Sequence, residues 1–322
     1  MRPIVLKFGG SSLNDREKFL FIARKIISIK KKYRAPVACV LSAPAEITDN
    51  LLKTSSRFKP NIREQDALAC LGEQLSVSLM AMAIGDLGHK AISFNSWQLP
   101  IKGRGEFGNG EIISVGLSKI KKAFLQGKIV LITGFQAINK SGEIMTLGRG
   151  GSDLSAVALS RFLNAEKCFL FSDVKGVYSA NPSVVSEAIK LPTVSYDEII
   201  ALAETGTEVR QLKAVKYARE HNIKIHFASS IGKDEGTLIS STASERKVSC
   251  LSFSQNEDMA MIAIIGRNVE KNIQINKALF EIARKAGIKI LSIKKGPSRI
   301  IASALTERAR ELLLAIHKKF IR

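Results

Sequence analysis

Short apolar segments alternate with segments of helical periodicity through most of this chain. Ile4–Phe8 and Val37–Leu41 are apolar runs, and between them apolar residues recur at helical spacing over residues 19–26. This series predicts two parallel strands, because a helical crossover returns the chain to the same end of the sheet. Further strands are predicted at residues 91–94, 129–133, 167–171 and 223–227, and further helices at residues 64–85, 116–126, 152–163, 197–203 and 208–220. We expect an α/β fold with a mostly parallel sheet sandwiched by helices.

The order of predicted elements changes near residue 245. Residues 229–245 are rich in Ser, Gly and Thr, as is typical of a connecting segment. Beyond it the pattern predicts strand, helix, strand, strand and helix at residues 259–265, 273–286, 288–293, 299–304 and 307–320. We expect one domain over residues 1–245 and a small α+β domain over residues 246–322.

The chain is basic, with a net charge of +20 over 322 residues. Such a charge would favour nucleic-acid binding if the basic residues formed one surface with aromatic residues among them. The lysines instead occur in short runs, such as residues 30–32 and 294–295, without interleaved aromatic residues. We therefore expect solvated surface lysines and no nucleic-acid partner.

The cysteines and apolar runs favour a cytoplasmic protein. Cys39, Cys70, Cys168 and Cys250 are far apart and form no Cys-x-x-Cys pair, and the four histidines do not cluster with them. This spacing predicts buried thiols in a reducing compartment and no protein-held metal. Serines interrupt the apolar stretch at residues 75–84, so no membrane span is expected.

A glycine-rich segment at residues 146–153, Thr-Leu-Gly-Arg-Gly-Gly-Ser-Asp, precedes a helical pattern. Adjacent glycines let backbone N–H groups approach an anion, and a helix N-terminus adds partial positive charge. The planar guanidinium of Arg149 suits a carboxylate, and Ser152 and Asp153 add oxygen atoms to the same turn. The segment predicts a phosphate or carboxylate site.

Lys7 lies at the end of the first predicted strand and is followed by Gly9, Gly10, Ser11 and Ser12. This is not a Walker A loop, because the lysine precedes the glycines. A paired glycine is often only a tight turn. Its place at the carboxyl end of a strand, where open α/β sheets bind ligands, favours a phosphate site.

Four other segments carry weaker signals. Ser42 and Thr48 follow the second strand and could hold a carboxylate or belong to an ordinary loop. Glu73 lies on or beside a helix, where a glutamate is usually solvated. Residues 171–182 run from a strand into a turn that suits a purine and its ribose, or a hairpin. Residues 103–108 satisfy Gly-x-Gly-x-x-Gly, but Asn-Gly follows instead of a helix, so we exclude a dinucleotide site.

Together these segments resemble one family, the aspartokinases of the amino acid kinase superfamily. The resemblance covers the whole chain, and the region from about Ser249 is similar to an ACT domain, the regulatory module of these enzymes. The segments that carry the resemblance are residues 7–12, Ser42 with Thr48, Gly72 with Glu73, Gly134 with Phe135, residues 147–153 and residues 172–182.

The resemblance implies transfer of the ATP γ-phosphoryl group to the side-chain carboxylate of L-aspartate, the first step of lysine, diaminopimelate, threonine and methionine synthesis. Aspartate is ionised at neutral pH, so no general base is needed to form the nucleophile. The difficulty is to bring two anions together, which requires cationic and N–H groups. Mg²⁺ is expected on the nucleotide phosphates, with no metal site of the protein's own, and the protein is expected to be a homodimer.

The resemblance also implies roles for individual residues. Lys7 and Asp153 are the expected catalytic residues. The expected aspartate-binding residues are Ser42, Thr48, Glu73, Arg149, Gly151 and Ser152. The expected nucleotide-binding residues are Lys7, Gly9, Gly10, Ser11, Ser172, Asp173 and Tyr178.

Two segments depart from the family pattern. Asn181-Pro182-Ser183 replaces Asp-Pro-Arg, and residues 206–212 lack a lysine that relatives carry, with Glu208 in that segment. Lys175, Arg210 or Lys213 could compensate for these lost phosphate contacts. The ACT-like region has room for about one unit, so weak or absent feedback inhibition is expected. Two alternatives remain, a kinase of another small carboxylate and a catalytically weakened amino-acid-binding regulatory subunit.

Overall fold

A computed structural model describes residues 1–205, 212–232, 234–242 and 245–321. The chain forms two compact units. The first unit comprises Met1–Lys175 with Glu220–Glu235, and the second comprises Gly176–Arg219 with Gly236–Arg322. Each unit is therefore discontinuous in sequence, and the division into domains at residue 245 stays a prediction.

The described residues contain strands and helices in alternation over most of the chain. The strands are β1 Ile4–Phe8, β2 Val37–Leu41, β3 Ala91–Phe94, β4 Lys102–Arg104, β5 Glu111–Ser114, β6 Ile129–Thr133, β7 Gln136–Ile138, β8 Ile144–Thr146, β9 Lys167–Ser172, β10 Thr193–Ser195, β11 Ile225–Ser229, β12 Thr237–Ser240, β13 Cys250–Gln255, β14 Met259–Ile265, β15 Ser292–Gly296 and β16 Arg299–Leu305. The helices are α1 Arg16–Tyr33, α2 Ile47–Ser55, α3 Ile62–Ala69, α4 Leu71–Asp86, α5 Ser118–Leu125, α6 Gly151–Phe162, α7 Tyr196–Ala203, α8 Leu212–Glu220, α9 Ile273–Lys285 and α10 Thr306–Phe320.

A parallel sheet forms the centre of the first unit, with strands in the order β11, β9, β1, β2, β6 and β3. Successive side chains of a strand point to opposite faces. Ile4, Leu6 and Phe8 pack with α1 and α4 residues such as Ile22 and Met80, while α6 contacts β1, β2 and β9. The predicted α/β fold class is confirmed, and the alternation leaves Lys7 on the face opposite Phe8.

A second sheet in the first unit, with the order β5, β4, β7 and β8, was not predicted. Its strands are three or four residues long, too short for a clear alternating pattern. The predicted helix over residues 64–85 is also interrupted, because α3 ends at Ala69 and α4 begins at Leu71. The amide of Gln136 donates to the Cys70 carbonyl oxygen at this interruption, a contact that the local pattern could not predict.

The helical run over residues 62–86 is long and apolar enough to cross a membrane by length and composition alone. Half of its apolar window is buried inside the protein. Val77, Met80 and Ile84 pack there with the α1 and β1 residues of the core. This burial is typical of a core helix in a globular unit.

The second unit contains an antiparallel sheet with the order β13, β14, β16 and β15, together with α9 and α10. Ile262, Leu279 and Ile316 belong to its core. This arrangement confirms the predicted small α+β region, although β13 was missed. β15 begins at Ser292 instead of residue 288, because pairing with β16 starts there.

The segments at residues 229–245 and 208–220 differ from their predictions or are only partly described. The segment at residues 229–245, predicted as a connection, contains β12, which pairs in parallel with β10. The helix predicted from residue 208 is described only from Leu212. Glu208 and Arg210 lie outside the described residues.

Candidate active site

Lys7 and Asp153 form a buried ion pair at the carboxyl end of β1. The Lys7 Nζ lies 2.8 Å from Asp153 Oδ1, and the two residues are 8% and 5% exposed. Asp153 is in the first turn of α6, where partial positive charge favours a carboxylate. Each charge therefore offsets the desolvation of the other, and the ammonium group is held at the end of the strand.

The turn after β1 has two glycines with different surroundings. A Cβ on Gly10 would lie 2.4 Å from the Ala43 carbonyl oxygen, so the loop after β2 requires glycine there. A Cβ on Gly9 would meet only Lys7 Nζ, at 3.6 Å. Ser11 is exposed in the short 3-10 helix that follows. Gly9 thus borders open space beside the Lys7 ammonium group.

Glu73 lies at the start of α4 and is buried, contrary to the usual solvated position of a helical glutamate. Its Oε1 accepts a hydrogen bond from the Ala43 N–H at 3.1 Å. Its Oε2 is buried without a hydrogen-bond partner among the described residues. Burial raises the pKa of Glu73 to about 7, and the Ala43 N–H opposes this rise. A buried carboxylate with one free oxygen suits a cationic ligand group.

Close packing explains how Glu73 reaches this loop. A Cβ on Gly72 would lie 2.5 Å from the Ala43 Cβ, so glycine allows α4 to approach. Ser42 is half-buried, and its N–H donates to the Phe8 carbonyl oxygen at 3.2 Å. Thr48 is half-buried in the first turn of α2. The loop at residues 42–45 therefore contacts both the Gly10 turn and Glu73.

The glycine-rich turn at residues 147–150 leads from β8 into α6. Gly148 and Gly150 have φ values of +72° and +75°, which favour glycine. The Leu147 N–H donates to the Phe135 carbonyl oxygen at 2.8 Å. Arg149 is exposed between the two glycines. The backbone of the turn is defined, while the Arg149 side chain is accessible to a ligand.

The first residues of α6 pack closely below this turn. A Cβ on Gly151 would lie 2.8 Å from a ring carbon of Phe135. Ser152 is buried, and a Cβ on Gly134 would lie 2.7 Å from both the Ser152 Cβ and its hydroxyl oxygen. These contacts set the α6 N-terminus against the end of β6.

The residues predicted to bind nucleotide are divided between the two units. Ser172 ends β9, next to Phe171, which is in register with Phe8 of β1. The Ser172 carbonyl oxygen accepts from the Ser230 N–H at 2.8 Å, and Asp173 is exposed. Ser172 therefore lies at the same sheet edge as Gly9.

Tyr178 belongs to the second unit, where it is half-buried and forms a bridge with Lys190. In the segment that departs from the family pattern, Asn181 Oδ1 accepts from the Ser183 N–H at 3.0 Å and from its hydroxyl at 2.8 Å. These two polar side chains are thus engaged with each other.

Asp66 is a buried residue that the sequence interpretation missed. It is 5% exposed and accepts hydrogen bonds from Gly108 and Thr146. Its position seven residues before Glu73 was the available signal, because residues two turns apart lie on one side of the helix predicted over residues 64–85.

The predicted buried thiols are confirmed, since all four cysteines are free and buried. Among the residues that the structure describes, no group of three or more His, Cys, Asp or Glu side chains could hold a metal ion.

A parallel sheet with a lysine and a glycine turn at the carboxyl end of a central strand places a cation where open α/β proteins bind their ligands. A family model described as "Amino acid kinase family" matches residues 2–229. The chain belongs to that family and, within it, to the aspartokinases, as the relatives below show.

Two aspartokinases illustrate the relationship. The one from Bacillus sp. (strain MGA3) is 43% identical over 241 residues, which are 74% of this chain and 58% of the relative. The one from Geobacillus stearothermophilus is 34% identical over 293 residues, which are 90% of this chain and 71% of the relative. The chain thus spans between about three fifths and seven tenths of these relatives.

Solved structures show the same fold at lower identity. E. coli aspartokinase III in complex with aspartate and ADP (R-state) has a TM-score of 0.79 and 18% identity, over 99% of this chain and 100% of that chain. Clostridium acetobutylicum aspartate kinase has the same TM-score, identity and coverage. At such identities the likeness shows the fold alone.

Proposed function

We propose that the protein is an aspartate kinase, which transfers the γ-phosphoryl group of ATP to the side-chain carboxylate of L-aspartate and forms 4-phospho-L-aspartate. One observation carries the proposal. The loop at residues 42–45 contacts both the turn after Lys7, a buried cation, and Glu73, a buried carboxylate with a free oxygen. A cation for a transferring phosphate and an anion for a substrate ammonium group are the two charges that this reaction needs.

The chemistry requires charge neutralisation more than proton transfer. The aspartate carboxylate is ionised at neutral pH and is itself the nucleophile. Lys7 would lie against the transferring phosphoryl group and offset the negative charge that gathers there. Asp153 would keep the Lys7 ammonium group in place through the 2.8 Å contact. Neither residue is required to remove a proton from the substrate.

Aspartate would be held by groups on three segments. Arg149 would bind the α-carboxylate through its planar guanidinium. Glu73 would accept the ammonium group at its free Oε2. Smaller contacts would come from the residues expected to line this side, Ser42, Thr48, Gly151 and Ser152.

ATP would lie on the side of Gly9, where a Cβ would meet no atom closer than Lys7 Nζ. The backbone of Gly9, Gly10 and Ser11 would contact the phosphates. Ser172, Asp173 and Tyr178 would contact the nucleoside. Mg²⁺ carried on the phosphates would shield their charge.

We further propose that the protein is a cytoplasmic homodimer with a kinase domain over residues 1–245 and a regulatory ACT-like domain over residues 246–322. The reaction would serve lysine, diaminopimelate, threonine and methionine synthesis. The alternative of a weakened regulatory subunit is not favoured, because the chain retains Lys7, Glu73, Arg149 and Asp153.

The direct test is an ADP-release assay with and without L-aspartate. We expect aspartate-dependent ADP formation by the wild type and a loss of about a hundredfold or more in kcat for Lys7→Ala and Asp153→Ala. Lys121→Ala, an exposed residue of α5, is the control and should match the wild type. Wild-type protein that binds ATP but forms no ADP with aspartate would refute the proposal.

A further inference from the structure

Asp66 joins three backbone segments of the first unit at one buried carboxylate. Its Oδ2 accepts from the Gly108 N–H at 2.8 Å and from the Thr146 N–H at 2.7 Å. Its Oδ1 accepts from the Thr146 hydroxyl at 2.8 Å. A buried acceptor with three donors fixes those donors relative to α3.

The two partners of Asp66 have distinct places in the fold. Gly108 belongs to the connection between β4 and β5 and is the last residue of the Gly-x-Gly-x-x-Gly pattern, which was excluded above as a dinucleotide site. Thr146 is the last residue of β8 and directly precedes the glycine-rich turn. The Gly110 N–H also donates to the Thr146 carbonyl oxygen at 2.8 Å. The connection and the start of the turn are therefore held together through both the N–H and the carbonyl group of Thr146.

A hydrogen bond from the Gly151 N–H to the Gly148 carbonyl oxygen, at 2.9 Å, closes the turn around Arg149. Gly148 and Gly150 flank Arg149, and glycine permits more backbone conformations than any other residue. The position of the Arg149 backbone therefore depends on anchors at the two ends of the turn. At one end Thr146 is held by Asp66 and by pairing with Gln136 of β7, and the α6 N-terminus forms the other end.

We propose that Asp66 is a positioning residue for the aspartate side of the site. It holds Thr146, and thereby the turn with Arg149, where the guanidinium meets the substrate carboxylate. This inference rests on the proposed function, since it assigns Arg149 to the α-carboxylate of L-aspartate. Asp66 would also hold the connection over residues 105–110 next to that turn.

Two substitutions separate the hydrogen bonds from the shape of the side chain. Asp66→Asn keeps an acceptor for the Gly108 and Thr146 N–H groups, and its NH₂ group can donate to the Thr146 hydroxyl. Asp66→Leu has a similar shape and no acceptor. Thr146→Val removes only the hydrogen bond from the Thr146 hydroxyl to Asp66. It tests the inference if Asp66→Leu does not fold. Ile120→Ala, a buried change in α5, is the control for lost stability alone.

The first measurement is the KM for each substrate. We expect Asp66→Leu to raise the KM for aspartate by about tenfold or more and to change the KM for ATP by less than about twofold. Asp66→Asn should stay within about threefold of the wild type for both. Thr146→Val should raise only the KM for aspartate, by a smaller factor. Equal rises in both KM values, no rise, or an equal defect in Asp66→Asn would overturn the inference.

The second measurement is amide hydrogen exchange of the protein without ligands, which does not depend on turnover. Exchange over residues 105–110 and 146–151 should be faster in Asp66→Leu and unchanged in Asp66→Asn and Ile120→Ala. A wild type without aspartate-dependent turnover would refute the proposed function, and the exchange would still test the anchor. Unchanged exchange in Asp66→Leu would refute the anchor while the kinase assay stands.

Discussion

Lys7 and Asp153 join the central strand of the first unit to the helix that follows the glycine-rich turn, through a contact of 2.8 Å between Nζ and Oδ1. Lys7 faces α6 because Leu6 and Phe8, its neighbours on β1, face the opposite core. The pair therefore has two consequences. It stabilises the packing of α6 on the sheet, and it places a cation at the strand end.

Variants of this pair should separate stability from activity. Lys7→Met leaves the Asp153 carboxylate buried without its partner, which should cost about 3 kcal/mol of unfolding free energy. Adding Asp153→Asn removes that charge and should restore most of the stability, measured by urea denaturation. In both variants kcat should remain about a hundredfold or more below that of the wild type. An active double variant, or a Lys7→Met protein as stable as the wild type, would contradict this assignment.

The paired glycines after β1 should respond differently to alanine. Gly10→Ala places a Cβ 2.4 Å from the Ala43 carbonyl oxygen and should cost about 1 to 3 kcal/mol of stability. Gly9→Ala should change stability by less than about 1 kcal/mol, because its Cβ meets only Lys7 Nζ at 3.6 Å. It should still raise the KM for ATP, since the methyl group lies in the space assigned to phosphate. Thermal unfolding and steady-state kinetics of both variants test this contrast.

Local sequence was sufficient for the features that one segment determines. An apolar run that ends in a lysine and two glycines places Lys7 at a strand end, and no distant residue is needed for that prediction. The alternation of strands and helices likewise determines the parallel sheet. Edge strands were harder to predict from the sequence. For example, β15 contains Lys294 and Lys295 and has no apolar pattern.

The environment of the acidic residues could not be predicted, because distant segments create it. Glu73 is buried because Gly72 allows α4 to reach Ala43, thirty residues earlier in the chain. Asp66 receives its hydrogen bonds from residues 42 and 80 positions away. A glutamate or aspartate in a helical pattern carries no local sign of such partners.

The turn that carries Arg149 should depend on the left-handed conformation of Gly150. Gly150→Ala must keep a φ of +75°, which costs an alanine about 1 to 2 kcal/mol. Gly85→Ala is a matched control, because it lies in α4 and its Cβ would meet no heavy atom within 4 Å. It should raise stability by up to about 1 kcal/mol through helix propensity. Denaturant midpoints that move in the same direction for both variants would disprove this explanation.

Glu73 should make both folding and substrate binding depend on pH. Burial raises its pKa from 4.5 to about 7. Between these values the folded protein holds a proton that the unfolded chain has released, so stability should fall as pH rises through this window and level off above about pH 7. The total fall should be about 3 kcal/mol. In Glu73→Gln this contribution should be missing, as urea denaturation over a pH series would show.

The same carboxylate should make aspartate binding stronger as pH rises, although it makes the folded protein less stable. An ammonium group binds ionised Glu73 better than neutral Glu73, so the wild-type KM for aspartate should decrease as pH rises from about 6 to 8. Glu73→Gln should have a KM about tenfold higher at the upper end and little pH dependence, because its amide carries no charge. The KM for ATP serves as the internal control and should follow the same pH course in both proteins. If the variant kept the wild-type pH dependence of the KM for aspartate, the ammonium group would have to bind elsewhere.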